Sequence, residues 1–168
     1  MTTGGEPVGA SKPETLPVLA PCYGLAILRL TLGTLFVWVF FENLGKGLYT
    51  PAGYQHLILD YVQRGLAPAI WKDVMRFMAG HTAVFAPLQA AAEISLGALL
   101  LAGAATRLVA LAAFGFLASL WVSEWGTAWI WELLVPMLVA LVLALSAAGR
   151  TWGVDARLAR RFPHIPIW

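Results

Sequence analysis

The chain has 168 residues, of which 60% are hydrophobic and only 12% charged, with a mean hydropathy of +0.74. Soluble domains carry about 25% charged residues, so the composition excludes an ordinary soluble domain and points to a membrane protein. The net charge is only +2, and the single cysteine, Cys22, excludes an intramolecular disulfide or a thiol-pair redox centre.

Residues 1–20 are rich in Gly, Pro, Thr and Ser and lack a sustained apolar period, so they read as a disordered cytoplasmic tail. The "LAPC" ending at Cys22 has the outline of a lipoprotein cleavage site. The apolar stretch before it is too short, however, and a proline precedes the cysteine, which speaks against lipidation. From Cys22 to Phe41 the one charge is Arg29, and a helix over that run covers the roughly 30 Å hydrocarbon core. Arg29 is expected to snorkel to the near interface on its long stem.

Further apolar runs occupy 84–103, 108–122 and 130–148, the last with Glu132 near its start and Pro136 inside it. Between the first two runs, Tyr54, Leu57, Ile58, Tyr61 and Val62 recur at helical spacing opposite Gln55, His56, Asp60, Gln63 and Arg64. A second amphipathic segment places Ile70, Trp71, Val74, Met75 and Met78 against Lys72, Asp73 and Arg76. Either can lie on the bilayer surface or cap a bundle. The expected fold is an all-α membrane protein, a four-transmembrane-helix bundle with an outer amphipathic helical hairpin between helices 1 and 2. Its transmembrane domain covers 21–149, with helices at about 22–44, 84–103, 106–124 and 130–148, amphipathic segments at 53–64 and 69–79, and a basic cytoplasmic tail at 150–168. Small-residue stripes at Ala140/Ala144/Ala148, Gly115/Ser119 and Ala91/Ser95 are the expected packing surfaces.

With four crossings, one side holds Lys12, Arg29, Arg107, Arg150, Arg157, Arg160 and Arg161, the other Lys46, Arg64, Lys72 and Arg76. The excess places both termini in the cytoplasm. The C-terminal "ARLARRFPH" reads as an anchor to anionic lipid rather than as a nucleic-acid site.

Ionisable groups at membrane depth cost about 2.5–3.5 kcal/mol each at the centre on insertion scales, so each needs a partner, a water path or a function. Glu42, Lys46, Glu93, Glu124 and Glu132 all fall in the outer half, with Trp38, Trp121, Trp125, Trp129 and Trp131. Glu93 is the deepest. Glu42 and Lys46 share a helix face, and Lys46 either neutralises Glu42 or reaches back to Glu93 or Glu132. Glu93, Lys46, Glu42 and Glu132 are the candidate catalytic groups, in a pocket walled by the five tryptophans where carboxylates of raised pKa exchange protons beside a quinone. The bland alternative is an interfacial ion pair, a helix-capping Glu132 and an ordinary tryptophan belt. His56, His81 and His164 lie outside the apolar runs, so no haem or metal site is expected from this chain alone.

The segments "LRLTLG" at 28–33, "GK" at 45–46, "AEISLGALLLAGAATRLVAL" at 92–111 and "AAGRTWGVDARLARR" at 147–161 occur in an order and spacing that resembles the DoxX/DoxD family over residues 24–161. The family includes the DoxD-type subunit of thiosulfate:quinone oxidoreductase. The resemblance implies a multi-pass protein of the plasma (inner) membrane of a prokaryote. It implies an integral membrane subunit linked to redox work and does not by itself imply thiosulfate oxidation. The expectation is a subunit of a quinone-linked oxidoreductase, with quinone as the cofactor and lipid and other protein subunits as partners, thiosulfate being one candidate donor. The rival expectation is a non-catalytic scaffold of a larger membrane complex; a small transporter coupled through Glu93 is a third.

Overall fold

In a computed structural model, residues 23–162 are described; the expected N-terminal tail, Lys12, Cys22 and His164 lie outside them. Helix α1 (Tyr23–Gly45) is followed by α2 (Pro51–Arg64), α3 (Ala69–Gly80), α4 (Thr82–Ala102), α5 (Thr106–Ser123) and α6 (Ile130–Leu145). A 3-10 turn (Ala148–Arg150) then leads to a short α7 (Asp155–Arg161), and no strand occurs among the described residues. Three helices, α1, α4 and α5, are long and apolar enough to cross a membrane, whereas α6 is apolar but has 16 residues, a rise of about 24 Å.

The four apolar helices pack in a ring, α1 on α4 and α6, and α5 on α4 and α6. Their core contains Leu32, Phe36, Leu100, Ala113, Leu117, Met137, Ala140 and Leu143. Glycines set the α1–α4 crossing. A Cβ on Gly97 would sit 2.8 Å from Val37 Cγ2, and one on Gly33 would sit 3.1 Å from the Gly97 carbonyl. In lipid such close backbone approach replaces the hydrophobic drive that water would supply. Among the expected stripes only Ala140/Ala144/Ala148 turns inward. Gly115 faces open space, and Ala91 and Ser95 are exposed. The physical reason is that α4 buries the face of Ala86, Glu93, Gly97 and Leu100, nearly opposite Ala91 and Ser95.

Helix α2 starts where Thr50 Oγ1 accepts the Gly53 amide (3.1 Å) ahead of Pro51, a side-chain N-cap. It pairs with α3, and a second core of Tyr54, Ile58, Val62, Met75, Ala79 and Ala86 joins them to α4. The face expected for α3 divides in two. Trp71, Met75 and Met78 turn inward, while Ile70 and Val74 join Phe77 on an exposed stripe.

At the opposite end Arg29 does not reach water. It is fully buried, Nη1 donating to the carbonyls of Leu100 (2.6 Å) and Leu101 (3.1 Å), and Nη2 to those of Thr151 (3.3 Å) and Trp152 (3.0 Å). The stem points toward the helix start as snorkelling requires, but protein carbonyls take the place of solvent. Beside it the buried Asp155 accepts the amides of Ala105 (2.7 Å) and Thr106 (2.8 Å). Asp155 therefore caps α5, whose own N-cap residue, Ala105, has no capping side chain. Gly149 allows this approach, since a Cβ there would overlap Asp155 Oδ2 and Thr106 Oγ1. The chain turns into this site after α6 ends at Leu145, before the expected 148, with Arg107 Nε holding the Ser146 carbonyl (3.0 Å).

Asp155→Ala removes a cap worth about 0.5–2 kcal/mol together with the negative charge nearest Arg29. Thermal unfolding in detergent is expected to show a clear fall in melting temperature, with Asp155→Asn recovering part of it because one acceptor oxygen remains.

Candidate functional site

The run "FENLGKGLY" ends α1 and folds back. Gly47, at φ +71°, takes the left-handed conformation that a turn here requires, and the Leu48 amide returns to the Asn43 carbonyl (3.0 Å). The turn carries Tyr49 back over Phe40, ring centroids 5.4 Å apart. Its hydroxyl donates to Glu93 Oε2, which also accepts Asn43 Nδ2 (3.2 Å), while Gln89 Nε2 donates to Oε1 (3.0 Å). Glu93, 1% exposed, is thus surrounded by neutral donors from α1, the α1–α2 turn and α4. Burial first, and then the hydrogen bond to Glu93, raise the Tyr49 hydroxyl well above its ordinary pKa, so Tyr49 stays a donor.

Lys46 is not among those partners. Its Nζ lies 2.6 Å from Glu42 Oε1, both side chains about half exposed. The Glu42–Lys46 pair is therefore an exposed i,i+4 pair at the end of α1. Glu132 is exposed in the first turn of α6, without a capping bond to that helix's amides.

A second acid has the opposite character. Glu124, at the end of α5, accepts the Tyr61 hydroxyl from α2 (2.7 Å). Next to it, Ser123 Oγ accepts Trp71 Nε1 from α3 (2.9 Å), and the Leu66 amide donates to the Trp125 carbonyl (2.6 Å). These bonds strap α2 and α3 to the α5–α6 turn. Burial raises the Glu124 pKa; the Tyr61 hydrogen bond opposes the rise and the charge of Glu132 adds to it.

Glu124 also borders a recess of about 240 Å³, lined by Trp121, Trp125, Ala128, Trp129, Ile130 and Leu133 among others. Trp121 and Trp125 stack at 5.5 Å and 19°, and Trp129 stacks on Trp131 at 5.1 Å and 17°. Of the five tryptophans singled out in the sequence, three line this recess, and Trp131 contacts it through Trp129. Trp38 lies elsewhere, in an open groove on α1 with Thr34, Val37, Phe41 and Glu42. Glu93 lines neither recess.

The structure thus separates groups that the sequence places in one pocket. Tyr49, Asn43, Gln89 and Tyr61 are missing from the sequence-based site, because a search for charge overlooks neutral donors. Their signal was present: a buried acid without a nearby base requires hydroxyl or amide donors, and Asn43 follows the first apolar run while Gln89 lies inside the second, one helical turn before Glu93.

A carboxyl whose pKa rises on folding contributes stability below its unfolded pKa and loses it as pH rises through the folded value. Glu124→Gln is therefore expected to melt close to the parent below the ordinary carboxyl range and above it at neutral pH. Melting curves from pH 4 to 8 measure the gap, and a gap that closes as pH rises contradicts the sign.

The family model for DoxX matches residues 24–126, which takes in α1 to α5 and stops in the turn before α6. The "AAGRTWGVDARLARR" segment that contributed to the resemblance lies beyond the match. No curated protein and no solved structure matches the chain. The family match covers more than half of the sequence and coincides with helices of membrane-spanning length: the chain is a multi-pass integral membrane protein and belongs to the DoxX family.

Proposed function

We propose that the protein is the membrane subunit of a quinone-linked oxidoreductase, with α1, α4, α5 and α6 crossing the plasma membrane, both termini cytoplasmic, and α2 and α3 covering the outer end. The observation that carries this reading is the indole-walled recess with Glu124, held by the Tyr61 hydroxyl, at its edge. Its volume of about 240 Å³ falls below the roughly 300–1,000 Å³ of drug-sized sites, a size suited to one flat ring between aromatic faces. A quinone supplies two-electron redox chemistry coupled to two protons. The electrons come from a donor outside the chain, for which the DoxD resemblance suggests thiosulfate.

The chain's part is to bind and to handle protons. Trp121, Trp125 and Trp129 wall and orient the ring, and Glu124, whose pKa burial raises, is the proton-exchanging group beside it. Tyr61 fixes the carboxyl's orientation through its hydrogen bond. Glu93 acts as a positioning residue that docks the α1–α2 turn onto α4, Glu132 contributes charge to Glu124, and Glu42–Lys46 is a surface pair away from the recess.

The scaffold reading has its own supporting observation, the exposed stripe of Ile70, Val74 and Phe77 on α3, a surface on which a larger subunit could rest.

Purified protein, given thiosulfate and a short-chain quinone analogue, is expected to reduce the quinone. Glu124→Gln should lower turnover by about 10²–10⁴-fold, the usual contribution of a proton-transfer group, and Trp125→Ala should raise the KM for the analogue. Activity that survives Glu124→Gln but disappears in a well-folded Glu93→Gln moves the proton site to Glu93. Absence of activity, together with co-purification of larger subunits in mild detergent, favours the scaffold.

A further inference from the structure

The end of the bundle opposite the acids holds a basic surface with a fixed shape. Among the described residues this end carries Arg29, Arg107, Arg150, Arg157, Arg160 and Arg161 against one acid, Asp155. The other half carries Lys46, Arg64, Lys72 and Arg76 against Glu42, Asp60, Asp73, Glu93, Glu124 and Glu132. Asp155 is buried with both oxygens accepting α5 amides, so it offers the exposed arginines no neighbouring counter-ion on α7. Along α7 the side chains of Arg157, Arg160 and Arg161 fall within about 100° of arc on the face away from Asp155, by the helical repeat, and all three are exposed.

Trp152 adds an aromatic group to this surface. Its φ of +53° places a bulky residue in the left-handed region, a costly conformation that persists where its surroundings enforce it. Here Arg29 holds the Thr151 and Trp152 carbonyls, and the amides of Val154 and Asp155 donate to Ala102 (3.1 Å) and Gly103 (2.9 Å). The result is an indole that is 63% exposed, beside Tyr23 at 5.0 Å. It stands where α1 begins and α4 ends, the level at which an amphipathic ring meets lipid headgroups.

From this juxtaposition of an outward-held indole and three arginines on one rigid turn-and-helix unit, we infer that residues 152–161 form a binding site for anionic phospholipid headgroups. The arginines meet the phosphate, the indole and Tyr23 pack at the glycerol level, and Arg29 and Asp155 act from behind as positioning residues. A mobile basic tail would attract the same lipids without geometry; here the internal hydrogen bonds orient the unit in advance.

The test uses the full chain in detergent, with added phosphatidylglycerol, phosphatidylcholine or free glycerol phosphate, read by melting temperature and by lipid retained in native mass spectrometry. Phosphatidylglycerol alone is expected to raise the melting temperature, and the rise should shrink toward 1 M salt, where screening extends to about 3 Å. Arg157→Gln/Arg160→Gln/Arg161→Gln should weaken phosphatidylglycerol binding on the order of 100-fold, from roughly 1 kcal/mol per basic residue, with its melting temperature in phosphatidylcholine unchanged. Trp152→Gly, which suits the left-handed backbone, should keep the fold and bind the lipid more weakly than the parent. Equal stabilisation by phosphatidylcholine, or by glycerol phosphate without a lipid tail, overturns the proposal. So does retention of binding in either variant.

Discussion

A guanidinium buried inside a helical membrane protein must have its charge met by protein, and Arg29 organises one end of this molecule around that requirement. Its two terminal nitrogens reach four carbonyls from two segments some fifty residues apart, the end of α4 and the turn before α7. Glycines make room for this cluster: a Cβ on Gly103 would meet the guanidinium, one on Gly153 the Gly149 and Gly103 carbonyls, and one on Gly149 the Asp155 carboxyl. Asp155 lies in the same cluster, caps α5 and places a negative charge near the guanidinium. The ends of α1, α4, α5 and α6 are joined in this way through one hydrogen-bonded unit, whose cost of disruption is high because the groups left behind would be buried and unpaired.

The other half solves a related problem with the opposite sign. Glu93 and Glu124 are each met by a tyrosine hydroxyl, Tyr49 and Tyr61, from just before α2 and from within it. These two bonds hold the amphipathic pair against the membrane helices. They differ in access. Glu93 is enclosed by three donors, whereas Glu124 borders a recess walled by indoles. A carboxyl can serve proton chemistry only where a reacting group can approach it, and this distinction moves the candidate site from the deepest acid to the accessible one. Lys46, committed to Glu42 at the surface, has no part in either cluster.

The two halves give the molecule an electrostatic polarity along the bundle, with arginines at one end and carboxylates in the other half. Such a distribution is of the kind that biases the orientation of membrane proteins. The basic end is tied together by the hydrogen bonds of Arg29 and Asp155. The acidic half contains the aromatic recess and the straps that shape it.

Membrane character, the all-helical class and the apolar helices were legible in the sequence, because hydropathy and the 3.6-residue period are local properties of the chain. The inward turn of Tyr54, Ile58 and Val62 was legible for the same reason. The partners of Arg29, the capping of α5 by Asp155 and the bonds from Asn43 and Tyr49 to Glu93 were not, since each joins segments more than forty residues apart; only Gln89, one turn from Glu93 on α4, was within local reach. Spacing along one helix correctly identified Glu42 as a partner for Lys46 but could not exclude Glu93, whose neighbours depend on how the Gly47 turn folds back. The sequence by itself determined which groups cannot remain unpaired in a membrane; the tertiary structure decided which groups satisfy them, because close approach between helices is set by packing, not by position in the chain.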